Sequence, residues 1–291
     1  MVLRQLEYLT ALAREAHFGR AAAACNVSQP ALSVAVRKLE QELGLELVHR
    51  DRRKGELTED GQALLRWADL ALAGVDGMKS EAARLANELR GRLRLGVIPT
   101  ALPAVGRIVR PLLRRYPAID VDVASMPSTE IELQLAAHGI DAGITYLDNE
   151  PLGEVNATPI YEERYLLLTP APRDGASIAW AELDGASVCL LRSEMQNRRI
   201  IDSILEQAGV RVLVQAQTNS ISALLSFARA GWPCIVSHAW LELFGTPTGM
   251  CALELTAPEI THQIGLVTPM TDLVQPTVRV LQDGIEALSL D

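Results

Sequence analysis

Gln29, Ser33 and Arg37 recur four residues apart in the run Ser28-Gln29-Pro30-Ala31-Leu32-Ser33-Val34-Ala35-Val36-Arg37. On a helix this spacing sets an amide, a hydroxyl and a guanidinium along one stripe. Beside it, Leu32, Val36, Leu39 and Leu43, at intervals of four, three and four, make an apolar stripe predicted to be buried. Ser28 is the predicted N-cap. Gln, Ser and Arg on a short capped helix have the donors and acceptors that read base edges in a major groove. A solvated face on an ordinary helical hairpin would have the same polarity, so the surroundings must discriminate.

Two further sets of residues have chemical potential. Arg50, Arg52, Arg53 and Lys54 fall within five positions, between two predicted short strands at 46–50 and 56–58. A loop with that charge beside a helix pair suits phosphate or minor-groove contact, although most charge runs are only solvated surface. Beyond residue 90, predicted helix N-termini at Thr100-Ala101, Ser128-Thr129, Gln196 and Asn219-Ser220 offer free N–H groups and a partial positive charge. Arg192 could pair a carboxylate or phosphate there, and Tyr146 and His238 at strand ends could form the wall. Each of the Ser, Thr and Asn residues could equally be a plain helix cap. The expected ligand is a small metabolic anion.

The elements that position these groups follow from periodicity. Leu6, Leu9, Ala13 and Ala16 share a face of a first helix ending near Glu15 to His17, and the alanine run 21–24 is a second, with Gly19 as its expected N-cap. Thr58-Glu59-Asp60 opens a helix to about Glu88. Its two interleaved series, Leu64, Ala71, Met78, Leu85 and Ala68, Val75, Ala82, Leu89, form the seam of a coiled coil. From Arg92 strands and helices alternate. Strands are predicted at 92–98, 119–125, 142–146, 158–169, 187–191, 210–216, 234–237 and 262–268. The intervening helices are 100–116, from 128 onward, 193–208, 219–230 and 273–288, with Thr100 and Ser193 as caps. Two such α/β units joined by two crossings leave a cleft at their strand ends.

The expected division is therefore an all-α winged helix-turn-helix domain at 1–58, a linker and dimerisation helix at 59–89, and an α/β two-lobed effector domain at 90–291. Lobe I takes 90–161 and 267–291, and lobe II takes 162–266. The net charge of −9 divides along the same line: residues 1–58 hold nine Lys/Arg against seven Asp/Glu, and the remainder holds 18 against 29. The first domain alone can face phosphate.

This order of parts resembles that of the LysR-type transcriptional regulators. The resemblance is carried by Arg4-Gln5-Leu6, His17-Phe18, Ala21-Ala22, Val27 to Ser33, Leu39-Glu40, Leu43-Gly44 and Leu57-Thr58-Glu59-Asp60-Gly61. It implies a periplasmic-binding-protein-like effector domain, a dimer through the linker helix assembled into a tetramer, a bent promoter DNA site, a small-molecule inducer and RNA polymerase as a further partner. By motif position it implies that Gln29, Pro30, Ser33 and Arg37 contact bases and backbone, with Arg50, Arg52 and Arg53 along phosphates. Departures from the family pattern are His17-Phe18-Gly19 for Ser-Phe-Thr, Leu47-Val48-His49-Arg50 in the wing, Gly231-Trp232-Pro233, and His238 at a usual proline. The run Met195 to Asp202 is similar to regulators of formate dehydrogenase operons.

Other classes fit less well. Five scattered histidines and the lack of Gly-x-Ser-x-Gly or a phosphate loop argue against an enzyme. A transported solute-binding protein would need an export signal, which the amphipathic start Met1 to Glu7 does not resemble. Cys25, Cys189, Cys234 and Cys251 show no ligand spacing, so neither a metal nor any other cofactor is expected, and a thiol switch would require an exposed, activated cysteine. No membrane span is predicted, and the expected location is cytoplasmic.

Overall fold

The computed structural model describes residues 1–49, 55–86, 88–170, 175–271 and 274–288, in two compact units, one built on Met1–Asn87 and the other on Glu88–Leu135 with Ile140–Asp291. The first unit contains α1 (Leu3–Glu15), α2 (Phe18–Ala24), α3 (Gln29–Leu43) and α4 (Glu59–Leu85). Leu6, Leu9 and Leu12 of α1 pack on Ala21 and Ala22 of α2 and on Leu32, Val36 and Leu39 of α3. The alanines let the crossing helices approach closely. Asn26 turns the chain between α2 and α3 with φ of 54°, a conformation that Asn tolerates better than most residues. Leu43, assigned to the buried stripe, is instead exposed in the last turn of α3, one residue before the left-handed Gly44 cap.

The expected Gly19 cap is replaced by His17, whose Nδ1 accepts the N–H groups of Gly19 at 3.0 Å and Arg20 at 3.4 Å. An imidazole thus does the work of the missing hydroxyl. Among the described residues, the two wing strands reduce to one antiparallel bridge, Val48 with Leu57. Arg50, Arg52, Arg53 and Lys54 lie outside the described residues. Helix α4 ends at Leu85, so Leu89 leaves the predicted seam; it is buried in the core of the second unit, just before the first strand.

The second unit runs β1 (Gly91–Val97), α5 (Leu102–Arg115), β2 (Ile119–Ser125), α6 (Ser128–Ala136), β3 (Ala142–Tyr146), β4 (Val155–Glu163), β5 (Tyr165–Thr169), β6 (Ser177–Ala179), β7 (Ser187–Leu191), α7 (Gln196–Gln207), β8 (Leu213–Thr218), α8 (Ile221–Arg229), β9 (Cys234–Ser237), α9 (His238–Phe244), β10 (Cys251–Thr256), β11 (His262–Pro269) and α10 (Pro276–Leu288). One sheet has the order β2-β1-β3-β11-β4, the other β6-β10-β5-β9-β7-β8. In each, a central strand has parallel neighbours on both sides: β1 between β2 and β3, and β7 between β8 and β9. The chain crosses between sheets at Glu163–Tyr165 and between Thr256 and His262. These points differ by a few residues from the expected lobe limits at 161/162 and 266/267, because β4 and β11 pair along their whole length within the first sheet.

Thr100 does not cap α5. It lies in a short 3-10 turn, Pro99–Ala101, and Ala101 precedes the helix without a side-chain cap. Nor does Ser193 cap α7, which begins after Met195. The segments β6, α9 and β10 were not anticipated. Among the described residues no helix is long and apolar enough to cross a membrane.

Candidate functional site

On α3 the polar stripe faces outward. Gln29, Pro30 and Arg37 are exposed and Ser33 is half-buried. The helix start is held by Ser28 Oγ, which accepts the Ala31 N–H at 3.4 Å. Val34, 64% exposed, lies beside Ser33 on the same outward surface. Its methyl groups are an apolar feature of that surface that the polar pattern concealed. Two contacts brace α3 from behind. The buried carboxylate of Glu40 accepts the backbone N–H of Leu47 at 2.9 Å and of Val48 at 3.2 Å, fixing the chain that enters the wing. Gly61, in the first turn of α4, lies so close to this segment that a Cβ would sit 2.2 Å from the Leu47 carbonyl oxygen.

In the second unit the carboxyl ends of β1, β3 and β7 converge with the starts of α6 and α7, the crevice where open α/β sheets take ligands. Thr100, Ser128, Tyr146 and Gln196 line one small cavity of about 10 Å³, and Ser128, Thr129 and Gln196 line an adjoining one of about 40 Å³. These five predicted residues are brought together. The other predicted residues are not. Ala101 is buried behind Thr100. Arg192 is exposed and pairs with Glu194 at 3.2 Å. Ser220 caps α8, accepting from Ala223 N–H at 3.4 Å, and Asn219 is exposed beside it. His238 lines a separate recess near α5. The Ser220 case is the plain capping that its sequence context also allowed.

The crevice contains groups that sequence reasoning missed. Glu163, fully buried, accepts from the Tyr146 hydroxyl, from Ser237 Oγ at 2.6 Å and from Asn197 Nδ2 at 3.4 Å. Thr100 Oγ1 lies 3.3 Å from the Tyr146 oxygen, which also accepts from Asn197 Nδ2 at 3.1 Å. Thr100 and Tyr146 come from lobe I and Asn197 and Ser237 from lobe II, so one buried carboxylate ties the lobes. Burial pushes its pKa up to about 7, and the three hydrogen bonds oppose that rise only in part. The only hint in the sequence was an acid inside an otherwise strand-like segment.

Closer to solvent, Arg199 of α7 crosses the crevice to Glu150. Nε and Nη2 meet the two carboxylate oxygens at 2.6 and 2.8 Å, while Nη1 donates to the carbonyls of Ser193 at 3.2 Å and Glu194 at 2.8 Å. Nη2 also reaches Ser128 Oγ at 3.5 Å. A two-pronged ion pair of this kind gives directional strength as well as charge.

The cysteines lie apart from the crevice. Cys189 and Cys234 are buried side by side on β7 and β9. Burial pushes the Cys234 thiol up to about 12 and raises Cys189 and Cys25 as well. Among the described residues no group of His, Cys, Asp and Glu is arranged to hold a metal ion.

A helix-turn-helix with an outward polar stripe, joined in one chain to a two-lobed crevice domain, defines a ligand-responsive DNA-binding regulator. Comparison with known proteins gives the family. Residues 3–62 match the bacterial regulatory helix-turn-helix protein, lysR family, and residues 86–288 match the LysR substrate binding domain. The chain belongs to the LysR family of transcription regulators.

Among its relatives, the hydrogen peroxide-inducible genes activator of Haemophilus influenzae is 30% identical over 99% of this chain and 98% of its own. The DNA-binding transcriptional dual regulator OxyR of Escherichia coli is 31% identical over 92% of this chain and 89% of its own. A full-length OxyR variant from Pseudomonas aeruginosa superposes with a TM-score of 0.78 at 27% identity, covering 98% and 95% of the two chains. Full-length CbnR in complex with its target DNA gives 0.71 at 22% identity over 99% and 100%, a likeness of fold. These relatives are regulators, not enzymes. The expected tie to formate dehydrogenase regulators is not borne out, since the similar proteins carry other names; the similarity of Met195 to Asp202 was too short to define a subgroup.

Proposed function

We propose that this regulator reads promoter DNA with α3 as a dimer of dimers in the cytoplasm, altering transcription when a small anionic metabolite enters the crevice between the lobes. Gln29, Ser33 and Arg37 are the base readers, with Pro30 and Ser28 against the backbone and Val34 supplying apolar contact. Arg50, Arg52, Arg53 and Lys54 add phosphate contacts, and RNA polymerase is a further partner at the promoter. The observation that carries the ligand reading is Arg199, a guanidinium set between the starts of α6 and α7 and occupied by a carboxylate of the protein itself. Dimerisation through α4 is supported by Trp67, Leu70, Met78 and Leu85, which the single chain leaves exposed.

Gel-shift measurements test the DNA half. Gln29→Ala should narrow the gap between specific and random DNA by about 1–3 kcal/mol for a lost bidentate contact and Ser33→Ala by about 1 kcal/mol for a single hydrogen bond, whereas Arg52→Ala should weaken all sequences alike and shallow the salt slope. Calorimetry with a panel of dicarboxylates and phosphate esters tests the ligand half; a panel without measurable heat would remove the anion assignment.

The relatives' names raise peroxide as an alternative input. Three of the chain's four thiols argue against it, because burial raises Cys25, Cys189 and Cys234 and keeps them protonated and poorly nucleophilic.

A further inference from the structure

We propose that the recess between α5, β4 and α9 is a second small-molecule site, built for a monocarboxylate with a compact apolar body. At about 180 Å³ it exceeds the crevice cavities of about 40 and 10 Å³ several-fold. Its polar lining consists mainly of donors without acceptors. The Tyr161 ring lines the recess, and its hydroxyl, closed off from solvent, has no hydrogen-bond partner among the described residues; an acceptor that reached it through a shift of the surrounding side chains would make good that loss. His238 Nδ1 accepts the Arg164 N–H at 3.0 Å, which leaves the proton of the neutral ring on Nε2. That Nε2 is 3.9 Å from its neighbour Glu242 Oε1, beyond hydrogen-bond reach.

Arg107 lines the same recess, and its charge is felt by both Tyr161 and His238. Among the described residues it forms no ion pair. Guanidinium, phenol and imidazole belong to three residues that line one space, against a single, largely exposed carboxylate on Glu242. That balance selects an anion over a cation. Pro103, Ala104, Ala239 and Leu243 complete the lining with apolar surface, which selects an apolar body over a polyanion. The Tyr161 and His238 rings meet edge to face at 6.3 Å and would flank such a body.

The recess adjoins the buried network of the crevice on two sides. Tyr161 and Glu163 lie two residues apart on β4, and Ser237, which donates to Glu163, immediately precedes His238. An occupant would therefore bear on the carboxylate that ties the lobes. The site stands independently of what binds in the crevice.

The test is a fluorine-NMR titration of the full chain with 4-fluorophenylacetate, its neutral analogue 2-(4-fluorophenyl)ethanol, and Arg199→Gln as a crevice control. The acid should bind saturably and the alcohol about tenfold more weakly; Arg107→Gln and Tyr161→Phe should each weaken the acid about tenfold, and Arg199→Gln should leave it unchanged. Tyr161→Phe keeps the ring and Arg107 is exposed, so both variants should melt with the parent. Absence of saturable binding of the acid up to about 10 mM overturns the proposal. So does equal binding of the alcohol, or a loss caused by Arg199→Gln but not by Arg107→Gln.

Discussion

Glu163 is the residue whose chemistry most constrains this molecule. In the folded chain it keeps its proton until about pH 7, whereas in an unfolded chain it would lose it near the ordinary carboxylate value of 4.5. Between those values the folded state binds more protons, so this group's contribution to stability is complete below about pH 4.5 and declines as pH rises to about 7. The full span corresponds to about 3 kcal/mol. The adjacent phenols of Tyr146, Tyr161 and Tyr165 are raised further and stay neutral, and burial lowers His238. Urea melts at pH 5 and pH 8 should show the decline in the parent and a flatter profile in Glu163→Gln; equal slopes would remove the assignment. The thiols give a second prediction at this scale. Cys189 and Cys234 should resist a thiol reagent in the native protein, and peroxide should leave DNA affinity unchanged. A peroxide response abolished by Cys234→Ser would restore the alternative input.

At the scale of elements, α3 was the most legible part of the chain. Its cap, apolar interval and polar stripe are all local features, and local features survive folding when nothing opposes them. What held α3 in place was not legible. Glu40 and the N–H groups of Leu47 and Val48 are seven and eight residues apart, and no periodicity signals a side chain that bonds backbone across a turn. Glycine 61 belonged to a recognised motif, but only the packing shows its purpose. Gly61→Ala should destabilise the first unit by about 3 kcal/mol, because the close atom is a backbone oxygen that cannot swing away. A thermal melt unchanged from the parent would contradict this. The missed α9 and β10 failed for a related reason: one is a seven-residue helix and the other a six-residue strand, too short for either period to declare itself. Along α4, Met78 and Leu85 are 68% and 71% exposed, so Met78→Lys with Leu85→Lys should raise the monomer fraction in sedimentation without altering helix content.

For the molecule as a whole, the arrangement of the crevice domain decides how a ligand acts. Cavities of about 40 and 10 Å³ have little more room than a water molecule needs, so a metabolite enters only if the lobes part. The ion pair of Arg199 with Glu150 spans that opening, each partner about one-third exposed. Sequence reasoning found the helix starts on both sides but missed this pair, because its members stand 49 positions apart and the run Met195 to Asp202, which contains Arg199, gave no sign of an acidic partner so distant. Glu150 presents to Arg199 the same group that a carboxylate ligand would, and the two must compete. Replacing Glu150 by Gln keeps the size and removes the competing charge. Its expected effect is an increase in affinity for the anion found by calorimetry of about five- to twentyfold, consistent with about 1–2 kcal/mol for a partly exposed charge-assisted contact. Arg199→Gln should abolish the same binding, and the double variant should resemble Arg199→Gln alone, since Glu150 then has nothing to withhold. If Glu150→Gln weakened binding instead, the carboxylate would be helping to hold the ligand, and the crevice would select a cation or a hydroxyl-rich molecule over an anion.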